Sequence, residues 1–160
     1  MRNFAAKQNR RFCVCYSYFL YQQRNITHHM GTWDYHNFDN DDAADFAENF
    51  RQDPNEAILY EALATAAETE DSLEIPEAAE ALAAAEIVAA ILGHPATDFL
   101  PGLLLAVNGM EVDDDLADLA VEAVEAVVRK SELQEEWANS PDYPKWQQQQ
   151  QDLLARLQAE

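Results

Sequence analysis

From Ala81 to Leu92 the chain reads Ala-Leu-Ala-Ala-Ala-Glu-Ile-Val-Ala-Ala-Ile-Leu, and Glu86 is its single polar residue. Alanine has the highest helix propensity of any residue. Pro76 suits the first turn of a helix, and Gly93 followed by Pro95 is stop chemistry. A helix that is apolar nearly all round has no face to give to water, so it needs neighbours on several sides. This segment therefore predicts an all-α fold, a compact single-domain helical bundle of about five to six helices with residues 76–92 at its centre. At 160 residues such a domain buries about 70% of its unfolded surface, so neither metal nor disulfide is needed to stabilise it.

The flanking segments supply the outer helices. Asp39 or Asn40 is placed to cap a first helix near residues 41–51, with Asp41, Asp42 and Asp45 at its positive end and Phe46 and Phe50 four apart on one face. Asp53-Pro54 is read as the cap and first position of a second helix, with Ile58, Leu59, Ala62, Leu63 and Ala66 at helical spacing. Residues 94–112 are the least regular part, and Leu103 to Val107 is read there as a short buried helix. Leu116 to Val128 is strongly periodic, opened by Asp113 to Asp115 and closed by Arg129-Lys130, in agreement with the helix dipole. A short helix carrying Leu133 and Trp137 follows, then Pro141 and Pro144, then a last helix with Trp146, Leu153 and Leu157 inward and a polar glutamine run at 147–151.

Charge is distributed unevenly. The whole chain carries a formal −20. All 30 acidic residues lie beyond residue 29, with only five of the ten Lys and Arg, so residues 30–160 carry −25. Such a surface repels phosphate backbones and anionic headgroups, so neither nucleic acid nor a membrane is an expected partner, whereas a cationic protein is.

Residues 1–29 hold Arg2, Lys7, Arg10, Arg11 and Arg24 and no acidic residue. They are read as a basic extension outside the fold, with Met30 as the natural start; a targeting segment is the rival reading, although no small-residue cleavage site follows its apolar stretch. Both cysteines, Cys13 and Cys15, fall there, as do His28 and His29, so the acidic part has no cysteine for a disulfide, zinc cluster or nucleophile. The longest apolar run, Phe12 to Tyr21, is far below the roughly 20 residues that span a bilayer. The expectation is a soluble, cytoplasmic protein.

Met-Gly-Thr-Trp at residues 30–33, Phe-Asp-Asn-Asp-Asp-Ala-Ala-Asp-Phe at 38–46, Ile-Pro-Glu-Ala-Ala-Glu-Ala at 75–81 and Ser-Glu-Leu-x-x-x-Trp at 131–137 followed by Trp146 resemble the bacterial family called domain of unknown function 4259. The resemblance covers residues 30–160, departing at Asp34, where members often have glycine. It implies a small stand-alone domain and transfers no activity. Gly31, Trp33, Phe38, Asp39, Asn40, Asp41 and Asp42 carry its opening motif.

Two candidate sites stand out. Asp39, Asp41, Asp42 and Asp45 offer hard oxygen ligands for a divalent cation, but the calcium-loop template fails: counting from Asp39, Ala43 stands at the fifth position, Ala44 at the required glycine and Phe50 at the bidentate acid. Helix capping is the preferred reading, with Trp33, Tyr35 and Phe38 anchoring the chain to the core. Glu86 is the second candidate, because a lone carboxylate in an apolar helix is where desolvation can create a general acid or base. The structural alternative is an ion pair with Arg129, Lys130 or Lys145. His36 and His94 lie far apart in sequence, and Ser72, Ser131 and Ser140 lack a nucleophile-elbow context. No catalytic residue and no cofactor is predicted. The expected function is a non-enzymatic acidic interaction domain, such as an inhibitor or immunity-type protein binding a cationic protein; the alternative is a divalent-metal-binding domain or metal-dependent enzyme using the Asp39–Asp45 block.

Overall fold

The computed structural model describes residues 34–159. Met30, Gly31, Trp33 and the predicted extension 1–29, with Cys13, Cys15, His28 and His29, lie outside the described residues. Among those described, seven helices follow in order: α1 (Asp41–Gln52), α2 (Glu56–Glu68), α3 (Ile75–Ile91), α4 (Pro101–Val107), α5 (Asp114–Arg129), α6 (Glu132–Ala138) and α7 (Tyr143–Leu157). The fold is all-α as expected. The count is slightly above five to six, and the two short helices expected around Leu103–Val107 and Leu133–Trp137 both form, each of seven residues.

α3 is the hub. It packs against every other described helix, and from Ala78 to Ala90 all but Glu80 are buried. Ala81, Ala83, Ala84, Ala85 and Ala89 have no exposed surface. Small side chains permit close approach of helices on several sides, and Leu82, Ile87 and Val88 fill the layers between. The segment is closed by a Schellman motif: His94 N–H donates to Ala89 O (2.8 Å), Gly93 N–H donates to Ala90 O (3.1 Å), and Gly93 adopts φ 91°.

Several local expectations are corrected. α2 starts at Glu56, with the Asn55 side chain accepting from Ala57 N–H (2.9 Å). Asp53 is instead the C-cap of α1, its N–H donating to Asn49 O, and the residue before a proline is disfavoured in helical backbone, so Pro54 is left in the link. α3 starts one residue before Pro76, where Glu74 N–H donates to Glu77 Oε2 at 3.3 Å. α4 is only half-buried: Leu103 and Val107 point inward, but Leu104 is exposed and Leu105 is 82% exposed. Of the two caps expected for α1, Asn40 is the one used, its Oδ1 accepting from Ala43 N–H at 2.8 Å.

Ser131 is a joint between distant parts of the chain. Its hydroxyl donates to Val127 O and accepts from Gln134 N–H, ending α5 and capping α6. Beside it Glu132 N–H donates to Leu73 O (2.9 Å), tying the α2–α3 link to the α5–α6 junction. Trp146 then stacks between Trp137 and Tyr143, which brings α7 against the bundle.

Candidate functional site

Glu86 is 1% exposed and lies about two-thirds of the way along α3. Its partner is Arg156 from the last turn of α7, rather than Arg129, Lys130 or Lys145. Arg156 donates Nη1 to Glu86 Oε2 (2.8 Å) and Nη2 to Glu86 Oε1 (2.9 Å), a two-pronged guanidinium–carboxylate pair. Asn37 Nδ2 also donates to Glu86 Oε1 (2.9 Å), and Gln150 Nε2 donates to Asn37 Oδ1 (2.7 Å). On its outer side Arg156 donates Nε to Asp152 (2.7 Å) and Nη1 to the carbonyl of His94 (3.3 Å), which the Gly93 turn presents. Burial works against the guanidinium charge, but the bonds to Glu86 and Asp152 outweigh it and raise the Arg156 pKa. A charge satisfied on every side is held rather than available, so Glu86 is a fastening between α3, α7 and the Asn37 loop.

A cleft of about 580 Å³ opens over this pair, lined among others by Tyr35, His36, Asp98, Lys145, Asp152 and Arg156. Tyr35 packs on the His36 ring (4.4 Å between centroids), and Lys145 Nζ lies 5.4 Å from the Tyr35 ring centre. His36 Nδ1 is 2.8 Å from an Asp98 carboxylate oxygen. That contact does not meet hydrogen-bond geometry and counts as electrostatic. Phe38 meets Phe99 edge-on at 5.8 Å, fixing the loop to the core as the aromatic reading expects.

The acidic block does not act as one cluster. Asp39 sits beside the cleft-lining His36, and Asp34, His36 and Asp39 each offer a ligand atom within 4.8 Å of the others. Burial raises the Asp39 pKa; His36 opposes this, while Asp34 and Asp98 add to it. Asp41 and Asp45 are exposed on α1. Asp42 instead lies near a second depression, where Glu80 of α3 feels its charge.

This second depression, about 410 Å³, is lined by Phe46, Ile58, Glu61, Ala62, Thr65, Glu77 and Glu80 where α1 and α2 lie on the start of α3. Phe46 and Ala62 are buried, Ile58, Glu77 and Glu80 half-buried. Burial is the largest cause raising the Glu80 pKa, followed by Asp42, Glu77 and Glu61. None of these four carboxylates takes part in an ion pair among the described residues.

A family model described as "Domain of unknown function (DUF4259)" matches residues 31–149. The chain belongs to that family. No curated protein and no solved structure matches it. The stretch that matches DUF4259 contains Asn37, Glu86 and His94 but ends before Gln150, Asp152 and Arg156, which complete the buried network. No described helix is long and apolar enough to cross a membrane.

Sequence reasoning missed Asn37, Gln150 and Arg156. Gln150 carried a signal, since it falls on the same face of α7 as Trp146, Leu153 and Leu157 and is fully buried with them. Arg156 and Asn37 carried none.

Proposed function

We propose that this domain is a non-enzymatic interaction module that binds a cationic protein, in the manner of an inhibitor or an immunity-type protein. The observation that carries the reading is electrostatic. Of the five Lys and Arg beyond residue 29, Arg51, Lys145 and Arg156 are already committed to Glu48, Asp142, Glu86 and Asp152, and Lys130 donates to the carbonyl of Glu70. The domain's own cations are largely spent, and the excess carboxylates present a single-sign field. Such a field accelerates encounter with an oppositely charged protein and suppresses wrong partners.

The test is capture of proteins from the source cell's lysate on the immobilised full-length chain at low ionic strength, with stepwise salt elution. One cationic protein should be retained and released by salt, and its association rate after purification should fall steeply with ionic strength. Recovery of nothing that salt releases removes the reading.

A second reading, a bound divalent cation, is favoured by Asp34, His36 and Asp39, whose donor atoms converge within 4.8 Å. Two carboxylates and an imidazole suit a first-row divalent ion such as manganese better than magnesium, and the ion would offset the repulsion that Asp39 feels from Asp34 and Asp98. Of the Asp39–Asp45 block, only Asp39 belongs to this set. Calorimetric titration with calcium, magnesium and manganese checks it: saturable binding abolished by Asp39→Ala supports a metal role, and no heat at millimolar metal rejects it.

A further inference from the structure

We propose that the groove between α1 and α2 on the start of α3 is where the cationic partner docks, and that it receives a lysine or arginine side chain of that partner. The inference rests on the cationic-partner reading and adds its location. Two independent properties of the groove converge on this occupant. Its floor is apolar, formed by Phe46, Ile58 and Ala62, and its walls carry Glu61, Glu77 and Glu80 with Asp42 nearby. Long basic side chains match this arrangement, since their methylene stems pack on apolar surface while the charged head reaches outward to carboxylates. A bare metal ion would gain nothing from Phe46 and Ile58, and an anion would be repelled.

Glu80 is also positioned at a cost to the free domain. It is half-buried, with Asp42, Glu77 and Glu61 adding to the effect of burial, and no described ion pair relieves it. An incoming ammonium or guanidinium supplies the missing compensation. Elsewhere the exposed carboxylates, such as Asp118 and Glu122 on α5, are on a solvated helix face.

The experiment uses isotope-labelled full-length protein and a short peptide in which arginine alternates with alanine, followed by NMR at low salt. A control peptide carries glutamine in place of arginine. Shifts should concentrate at Ile58, Glu61, Thr65, Glu77 and Glu80. Affinity should drop about tenfold in the double variant Glu77→Gln/Glu80→Gln, while Asp118→Asn/Glu122→Gln, which removes the same charge on α5, should change it little. Glutamine at residue 77 can still accept from Glu74 N–H, so the first variant keeps its helix start. Equal weakening by both variants, or shifts spread over every acidic helix, would overturn the groove while leaving the cationic-partner reading in place. No arginine-dependent binding even at low salt would count against both.

Discussion

α3 carries two carboxylate settings less than two turns apart, and they have opposite solutions. Glu86 is buried, and both of its carboxylate oxygens accept hydrogen bonds, from a guanidinium and from an amide. Glu80 is half-buried among Asp42, Glu77 and Glu61, and its pKa is raised by burial and by those neighbours. The contrast is between a buried charge compensated within the bundle and a half-buried one without an ion pair, and it is the second setting that the proposed docking groove uses.

The largest expected effect tests the compensated side. Arg156→Met leaves Glu86 buried without its cation and should cost about 3–5 kcal/mol of unfolding free energy. Adding Glu86→Leu to that variant should recover much of the loss, because removing both charges leaves no ion stranded. Chemical denaturation measures both; a double variant no better than the single one would mean the network acts through packing rather than charge.

A smaller effect tests the turn that supplies the His94 carbonyl to Arg156. Gly93→Ala meets no atom within 4 Å, so its cost comes from φ 91° alone and should be about 1 kcal/mol. A thermal melt suffices to check it.

The uncompensated side should respond with the opposite sign. Glu80→Gln removes repulsion, so the variant should melt slightly above the parent, by no more than about 0.5 kcal/mol in stability at neutral pH. The pH dependence sharpens the same point. Glu80 and Asp39 have folded pKa values above the ordinary 4.5 and 3.8, so their ionised forms oppose folding at neutral pH. Their contribution to stability increases as pH falls through those folded values and is complete below the ordinary ones. Glu48 works in reverse: Arg51 and Gln52 hold it at about 2, and its contribution is lost as pH drops from 4.5 through that value. Melts from pH 7 to pH 4 should show a rise that Glu80→Gln flattens; an unchanged profile would remove Glu80 as its source.

Much of the fold is legible in the order of the residues alone. The α3 stretch demands a central helix because its lack of a polar face leaves no alternative, and the apolar periodicity of α5 and the Trp146–Leu153–Leu157 face of α7 locate their cores. Boundaries are less legible where two local signals compete, as at Asp53-Pro54, where the end of α1 claims the residue expected to start α2. The burial of Glu86 and the acidic surface are also in the sequence, since helical spacing and formal charge are properties of the chain itself.

Tertiary structure alone decided the partners. Arg156 reaches Glu86 across 70 positions and Gln150 reaches Asn37 across 113, and no local rule ranks one distant cation above another. The same holds for the acidic block, whose neighbouring aspartates diverge: the loop brings Asp39 beside Asp34 and His36, while Asp42 on α1 acts on Glu80. Periodicity sets which face of a helix is buried, but only the packing of helices against α3 sets which side chains then meet.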